Sequence, residues 1–407
     1  MLAYLGFIAI FLFIYYRQFV CERVKLYYTA TDNPTVSELV DRTFSNSERA
    51  TFCPTPYLIN THLQTIFNVA LRPDINWYSY DTEEFTFKCG GHILLDWVHD
   101  NRLPRTDESS EDEMSGDDLI TEESPIMLVF AGVCGGSKEI EIKHFVSYVV
   151  RDGGMRAVVV NYRGAQTQLK TPVFGLTSED IDVVINHIKN KFPKAIAIIA
   201  CGFSLGSNIM TKYLGEVGKD SPIDFAISVS NPFNLETSSR RLQDELVNRL
   251  IYDKVFTKKR KELVLAHEHV FEITPVKMEK VKRVSSTLEF DDVVSREILG
   301  MDSLSNLYQR FSCKHDITGI QIPVLFLNAL DDPISSKHAI PYDDLKENTN
   351  IILATTERGG HVAWLDGLTP YKAVPSWMER TCVHFARACV AIKQQQKSRD
   401  VAQCETK

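Results

Sequence analysis

Short, continuous apolar runs recur along this chain and alternate with stretches whose apolar residues return every three or four positions. The runs at 126–130, 156–160, 195–200, 225–230, 323–328 and 350–355 are five or six residues long. That is the length and character of strands buried on both faces. Between them, 139–151 and 178–192 carry helical spacing, and the second opens with a serine cap and an acidic first turn. Upstream, 77–89 and 92–98 are β-rich, and Gly90-Gly91 between them marks a hairpin. Strands alternating with amphipathic helices predict an α/β fold, a mainly parallel sheet with helices on both faces.

Two regions interrupt the rhythm. Residues 27–75 are Pro-punctuated and show no clear periodicity, and 232–320 are highly charged, with helix-like stretches at 240–252 and 258–271. An insertion between core strands sits at the carboxyl ends of a parallel sheet, where loops surround a site, so 232–320 is expected to form a helical cap. Residues 376–393 have the pattern of a core-covering helix. The expected organisation is therefore an N-terminal anchor at 1–20 and an extension at 21–75. The first half of the core follows at 76–231, the cap at 232–320, the second half at 321–395 and a polar tail at 396–407.

Charge changes this picture at one place. The net charge of −8 argues against general nucleic-acid binding, but 107–123 alone holds nine acidic residues and no basic one. Without it the body is near neutral, and 105–123 reads as a solvated, disordered loop. Residues 2–16 are uncharged and apolar, with Arg17, Arg23 and Lys25 behind them. Basic residues after the apolar run, rather than before it, do not make a secretory signal. The segment is expected to be a single-pass membrane anchor, with the body on the cytoplasmic side under the positive-inside rule. Nine scattered cysteines without a C-x-x-C pair, and no N-glycosylation sequon, indicate neither a disulfide framework nor a metal site. They lean towards a reducing compartment.

The candidate chemistry centres on Gly202-Phe203-Ser204-Leu205-Gly206, a G-x-S-x-G pentapeptide where an apolar run ends and a helical pattern begins. A serine on such a turn needs small neighbours, and it needs a base to take its proton. Chain order for this architecture is serine, acid, histidine. His361 follows Gly359-Gly360 directly after the last core run, which makes it the candidate base. Asp332, beside Pro333 and after the run at 323–328, is the favoured acid, with Asp331 as the alternative. An oxyanion needs two backbone N–H groups. Leu205 offers one, and Val133, in the glycine-rich loop 131–137, is the candidate for the other. That loop lacks the Lys-Ser/Thr pair of a phosphate-binding loop.

Several pieces, in order, carry a family resemblance. They are Thr61-His62-Leu63-Gln64-Thr65, Leu94-Leu95-Asp96-Trp97, Asn161-Tyr162-Arg163-Gly164, the serine pentapeptide with Asn208, Asp331-Asp332-Pro333, and Gly359-Gly360-His361. Over about residues 50–390 the chain resembles the membrane-anchored abhydrolase-domain lipases and esterases of the α/β-hydrolase superfamily (family 4 of the AB hydrolases). The resemblance implies an α/β-hydrolase fold, a Ser204–Asp332–His361 triad, and esterase or lipase activity on acyl lipids. It implies no cofactor and no metal, and a lipid ester and a membrane as partners. Two positions depart from the family pattern: Ala131-Gly132 opens the oxyanion loop, and Ser207 stands where a second glycine is usual. His338 to Asp343 fits the H-x-x-x-x-D spacing noted for acyl transfer, and His267 and His269 form a lone H-x-H. Acyl transfer by the same triad, and a catalytically silent interaction module, are the rival functions.

Overall fold

The computed structural model describes residues 2–29, 31–101, 120–175 and 177–405. Most of the expected acidic loop at 105–123 lies outside the described residues. Eleven strands are described: β1 (Glu22–Arg23), β2 (Lys25–Tyr27), β3 (Thr51–Phe52), β4 (Tyr78–Thr86), β5 (His92–Asp100), β6 (Ile126–Phe130), β7 (Arg156–Asn161), β8 (Ile198–Phe203), β9 (Phe225–Val229), β10 (Val324–Ala329) and β11 (Ile351–Thr356). Nine of them form one sheet in the order β2-β11-β10-β9-β8-β6-β7-β5-β4. The six strands from β11 to β7 are parallel, while β5 runs antiparallel to β7, β4 to β5, and β2 to β11. This is the α/β-hydrolase arrangement, with β2 added at one edge.

Continuous apolar runs are what a two-sided sheet requires, because successive residues serve opposite faces. Met127, Val129, Ile199 and Cys201 join one core cluster, whereas Ile126, Leu128, Ile198 and Ala200 join the other. The first face is covered by α2 (Pro34–Phe44), α4 (Ile140–Arg151) and the C-terminal helix Trp377–Glu405. The second is covered by α5 (Ser178–Lys191) and α6 (Leu205–Val217). Thr177 caps α5 in a reciprocal capping box with Asp180.

The aperiodic stretch 27–75 contains both α2 and α3 (Thr61–Ala70). Asn33 and Asn60 cap them by accepting backbone N–H groups from the first turn of each helix. Between β9 and β10 the chain folds into helices, the longer of which are α7 (Leu235–Asp244), Lys254–Ala266 and Leu304–Phe311. Val264, Phe271, Val281 and Phe290 give this segment a small core of its own.

Two expectations about the N-terminus need correction. The helix α1 (Leu2–Tyr15) has 14 residues, about 21 Å of rise, against a hydrocarbon core of about 30 Å. Residues Tyr16–Val20, which would have lengthened it, form a π-helical turn folded onto the body. There Val20 is buried and Tyr16 donates its hydroxyl to the carbonyl of Pro54. Among the described residues no helix is long and apolar enough to cross a membrane, so the single-pass anchor is not supported. The scattered cysteines also conceal a pair. Cys21 and Cys53 are joined as a disulfide where β1 pairs with β3.

Candidate active site

The site begins with strained backbone at the end of β8. Ser204 has φ 52° and ψ −120°, a conformation that persists only where the surroundings enforce it. Two glycines make the turn possible. A Cβ on Gly206 would lie 2.3 Å from the carbonyl oxygens of Phe130 and Ala131, and one on Gly202 would lie 2.5 Å from Ser207 Cα. The Ser204 N–H donates to the Val229 carbonyl at 2.9 Å. Ser207, the departure from a second glycine, is buried and donates its hydroxyl to the Ser204 carbonyl at 2.6 Å, so it braces the turn. Asn208 ties α6 to the inserted helices, donating to Phe311 O at 2.7 Å and accepting from Cys313 N at 3.0 Å.

His361 stands across from this turn. Its Nε2 is 2.8 Å from Ser204 Oγ, and its Nδ1 is 2.8 Å from Asp332 Oδ2. A carboxylate can only accept, so the Nδ1 nitrogen carries the proton and Nε2 is left to accept from the hydroxyl. Asp332 is fully buried, and its other oxygen accepts the N–H groups of Ile334 and Ser335, both at 2.8 Å. Asp331, the alternative acid, points elsewhere. Its Oδ1 accepts the Gly360 N–H at 3.0 Å, one residue before the histidine. Burial pushes the Asp331 carboxyl up to about 7; the Asp332 charge adds to this and the Gly360 N–H opposes it.

The histidine loop is bent hard and held from one side. Gly360, Val362 and Trp364 all have positive φ. A Cβ on Gly360 would meet Thr65 Oγ1 at 2.8 Å and Thr61 O at 3.0 Å. The element pressing on it is α3. Thr65 Oγ1 accepts the His361 N–H at 2.9 Å, and Asn68 donates to Val362 O at 2.7 Å. Gln64 bonds both polar backbone groups of Leu365, while Thr61 donates to Asp331 O at 2.9 Å. In the sequence, Thr61-His62-Leu63-Gln64-Thr65 stands out only as a family signature. Its chemistry is to clamp the histidine loop.

The other family motifs serve the opposite wall. Asp96 accepts from Ser137 Oγ at 2.5 Å and from Asn161 at 2.8 Å, and Asn161 in turn accepts the Ser137 N–H at 2.8 Å. These bonds pin the far end of the loop 131–137. Its near end lies against the serine, where a Cβ on Gly132 would be 3.5 Å from Ser204 Cβ. The Gly135 N–H closes a turn onto Gly132 O at 3.0 Å. Val133, inside that turn, and Leu205, the first residue of α6, both border the same cavity as Ser204.

That cavity has a volume of about 550 Å3. Beyond Ser204 its wall is supplied largely by the inserted helices, including Leu242, Phe256, Leu263, Leu307 and Phe311. Charged residues at its border are paired. Arg260 bonds Asp291 and Ser295, and Lys212 bonds Glu216 at 2.8 Å and Asp316 at 3.1 Å. His338 and Asp343, the acyl-transfer spacing, are both exposed and do not line the cavity. His267 Nδ1 donates to Leu263 O at 2.8 Å.

No protein-family model matches the chain. Individual proteins do. Human phospholipase ABHD3 is 31% identical over 346 residues, 84% of this chain and 79% of that one. The embryogenesis-associated protein EMB8 of Picea glauca is 31% identical over 77% of this chain and 67% of its own. A monoacylglycerol lipase of Saccharomyces cerevisiae is 28% identical over 81% and 80%. Among solved structures, the Pyrococcus furiosus esterase Pf2001 aligns at 14% identity over 78% of this chain and 97% of that one, with a TM-score of 0.46. The chain belongs to the α/β-hydrolase superfamily, among its abhydrolase-domain lipases and esterases, and its enzyme class is that of the carboxylic ester hydrolases.

Proposed function

We propose that the chain hydrolyses carboxylic esters of acyl lipids at a membrane surface through Ser204, His361 and Asp332. The observation that carries this reading is the unbroken chain from Asp332 Oδ2 through the imidazole to Ser204 Oγ, with both contacts at 2.8 Å, opening on a largely apolar cavity. His361 Nε2 takes the hydroxyl proton as Ser204 Oγ bonds the acyl carbonyl carbon. The carbonyl oxygen becomes an oxyanion held by the N–H groups of Leu205 and Val133. Collapse expels the alcohol, which leaves with the proton from His361, and an acyl-serine forms. Water then attacks that ester, again giving its proton to His361, and the acid departs as Ser204 regains its hydrogen. Asp332 holds the imidazole in the required tautomer and stabilises the imidazolium.

The names phospholipase and monoacylglycerol lipase among the relatives support a lipid ester as substrate. Residues 232–320 act as the cap that shapes the acyl site. The helix α1 is uncharged and apolar on all sides, with Phe7, Phe11 and Phe13 exposed, which suits its insertion part-way into the apolar layer of a bilayer. Labelling with a fluorophosphonate probe tests the assignment: wild type is expected to be modified at Ser204 and Ser204→Ala to be inert. Full ester turnover by purified Ser204→Ala would sink it.

A further inference from the structure

The wall helix of the cavity has a second face. Residues 246–266 are helical without a break, through Leu246–Asn248, a π-helical turn at Arg249–Asp253, and Lys254–Ala266. Its inner side is fully engaged. Tyr252 stacks on His62 and bonds its Nδ1 at 3.1 Å, Asp253 accepts the Thr287 N–H at 2.8 Å, and Phe256 and Leu263 line the cavity. On its outer side Leu246, Val247, Leu250, Ile251 and Val255 are between 37% and 59% exposed. Five such side chains on one face of one helix are more than scattered surface apolarity.

Charge beside this apolar stripe points to the occupant. The exposed charges of helix 246–266 are Arg249, Lys254, Lys258 and Lys259 against Glu262, which lies 3.8 Å from Lys258, while Arg260 is buried on Asp291 and Lys261 reaches the carbonyls of Lys282 and Val284. This stands out in a chain of net charge −8. Apolar side chains bordered by lysine and arginine are the composition of a helix that lies on an anionic bilayer. A second copy of this chain would bring like charges face to face. Continuity supports the lipid as well. The exposed Leu63 adjoins His62, which stacks on Tyr252, and the exposed Tyr57 donates to the carbonyl of Leu368, itself exposed. Leu63 and Tyr57 lie on the chain between α1 and the wall helix.

We propose that the outer face of helix 246–266 docks on an anionic lipid bilayer, so that one helix both walls the acyl cavity and holds it against the surface that supplies the ester. This rests on the lipid-hydrolase reading above and adds the surface through which the substrate arrives. Full-length Leu246→Glu/Leu250→Glu/Val255→Glu protein is expected to hydrolyse dissolved p-nitrophenyl butyrate at the wild-type rate. It should turn over a long-chain ester carried in phosphatidylcholine–phosphatidylserine vesicles about tenfold more slowly. Lys254→Glu/Lys258→Glu keeps the apolar stripe, and should lose turnover on those vesicles but not on phosphatidylcholine alone. Unchanged turnover on the anionic vesicles by both variants overturns the proposal. So does a wild-type dimer that the triple variant dissociates with no loss on vesicles. Cosedimentation of Ser204→Ala with the anionic vesicles reads docking without catalysis. Absence of wild-type turnover of the dissolved ester would remove the hydrolase reading and leave that docking result to stand alone.

Discussion

The hydroxyl of Thr65 accepts the backbone N–H of His361 at 2.9 Å, across 296 positions of sequence. Through the same atom, Thr65 donates to Thr61 O at 2.9 Å, so the histidine loop is fastened to the first turn of α3. Thr65→Ala leaves a buried N–H unpaired, a loss of about 1–3 kcal/mol. The base is then free to drift, and a misplacement of about 1 Å can cost about 100-fold in rate. We expect kcat to fall by about 10- to 100-fold in Thr65→Ala and to recover in Thr65→Ser. Equal kcat in wild type and Thr65→Ala would count against the clamp.

The two adjacent aspartates separate by partner. Asp332 faces the imidazole, while Asp331 accepts the N–H of Gly360. Asp332→Asn would preserve shape and favour the wrong tautomer, lowering kcat by about 10^4. Asp331→Asn keeps an oxygen for Gly360 and should stay within about threefold of wild type at pH 8. Steady-state turnover of a soluble ester by the two variants distinguishes them, and the reverse order would reassign the acid.

Burial lifts the Asp331 carboxyl from its ordinary 3.8 to about 7. The folded protein therefore holds this proton to higher pH than the unfolded chain does, and stability falls as pH rises from about 4 to about 7. Glu141, also lifted to about 7 by burial with Glu139 adding to it, contributes in the same direction. Asp331→Asn should flatten this slope in denaturant titrations between pH 5 and 8. At pH 8 it should add on the order of 3 kcal/mol. A slope identical to wild type would show that Asp331 is not the group responsible.

Gly206 has no room for a methyl group, since a Cβ there would sit 2.3 Å from two backbone carbonyl oxygens of the loop at 130–131. Gly206→Ala must push the oxyanion loop off the serine, at a cost of about 3 kcal/mol. We expect a lower melting temperature together with loss of fluorophosphonate labelling. Gly300, with φ 63° but open space around it, should lose stability on alanine substitution while labelling normally.

What the sequence makes legible follows from where burial is apolar. The strands read clearly because both faces of the sheet are covered and their runs are continuous. The strand before the nucleophile was expected at 195–200 and is found at Ile198–Phe203. The apolar run continues through Cys201, Gly202 and Phe203, with the glycine masking its end. Residues 61–70 gave no periodic signal because the buried face of α3 is polar. Gln64, Thr65 and Asn68 are buried there and hydrogen-bonded, and hydropathy cannot register burial of that kind. The C-terminal helix runs on to Glu405 through a stretch expected to be a polar tail, since helix formers such as Gln and Lys sustain it without an apolar stripe. Of the candidate site, motif order names Ser204, His361 and Asp332 as candidates, and the fold joins the three side chains in one hydrogen-bonded chain. The clamp that aims His361 needed coordinates, because nothing local in the sequence links position 65 to position 361.

The separation of Ser204 from His361 by 157 positions also sets an order of events in time. Translation proceeds at about 5–20 residues per second, so Ser204 leaves the ribosome on the order of 10–30 s before His361. For that interval the growing chain carries a serine elbow and an α3 already made, with no histidine loop for α3 to grip. Ser204 therefore has no imidazole beside it until the last described strand, β11, has joined the sheet and the loop carrying His361 follows.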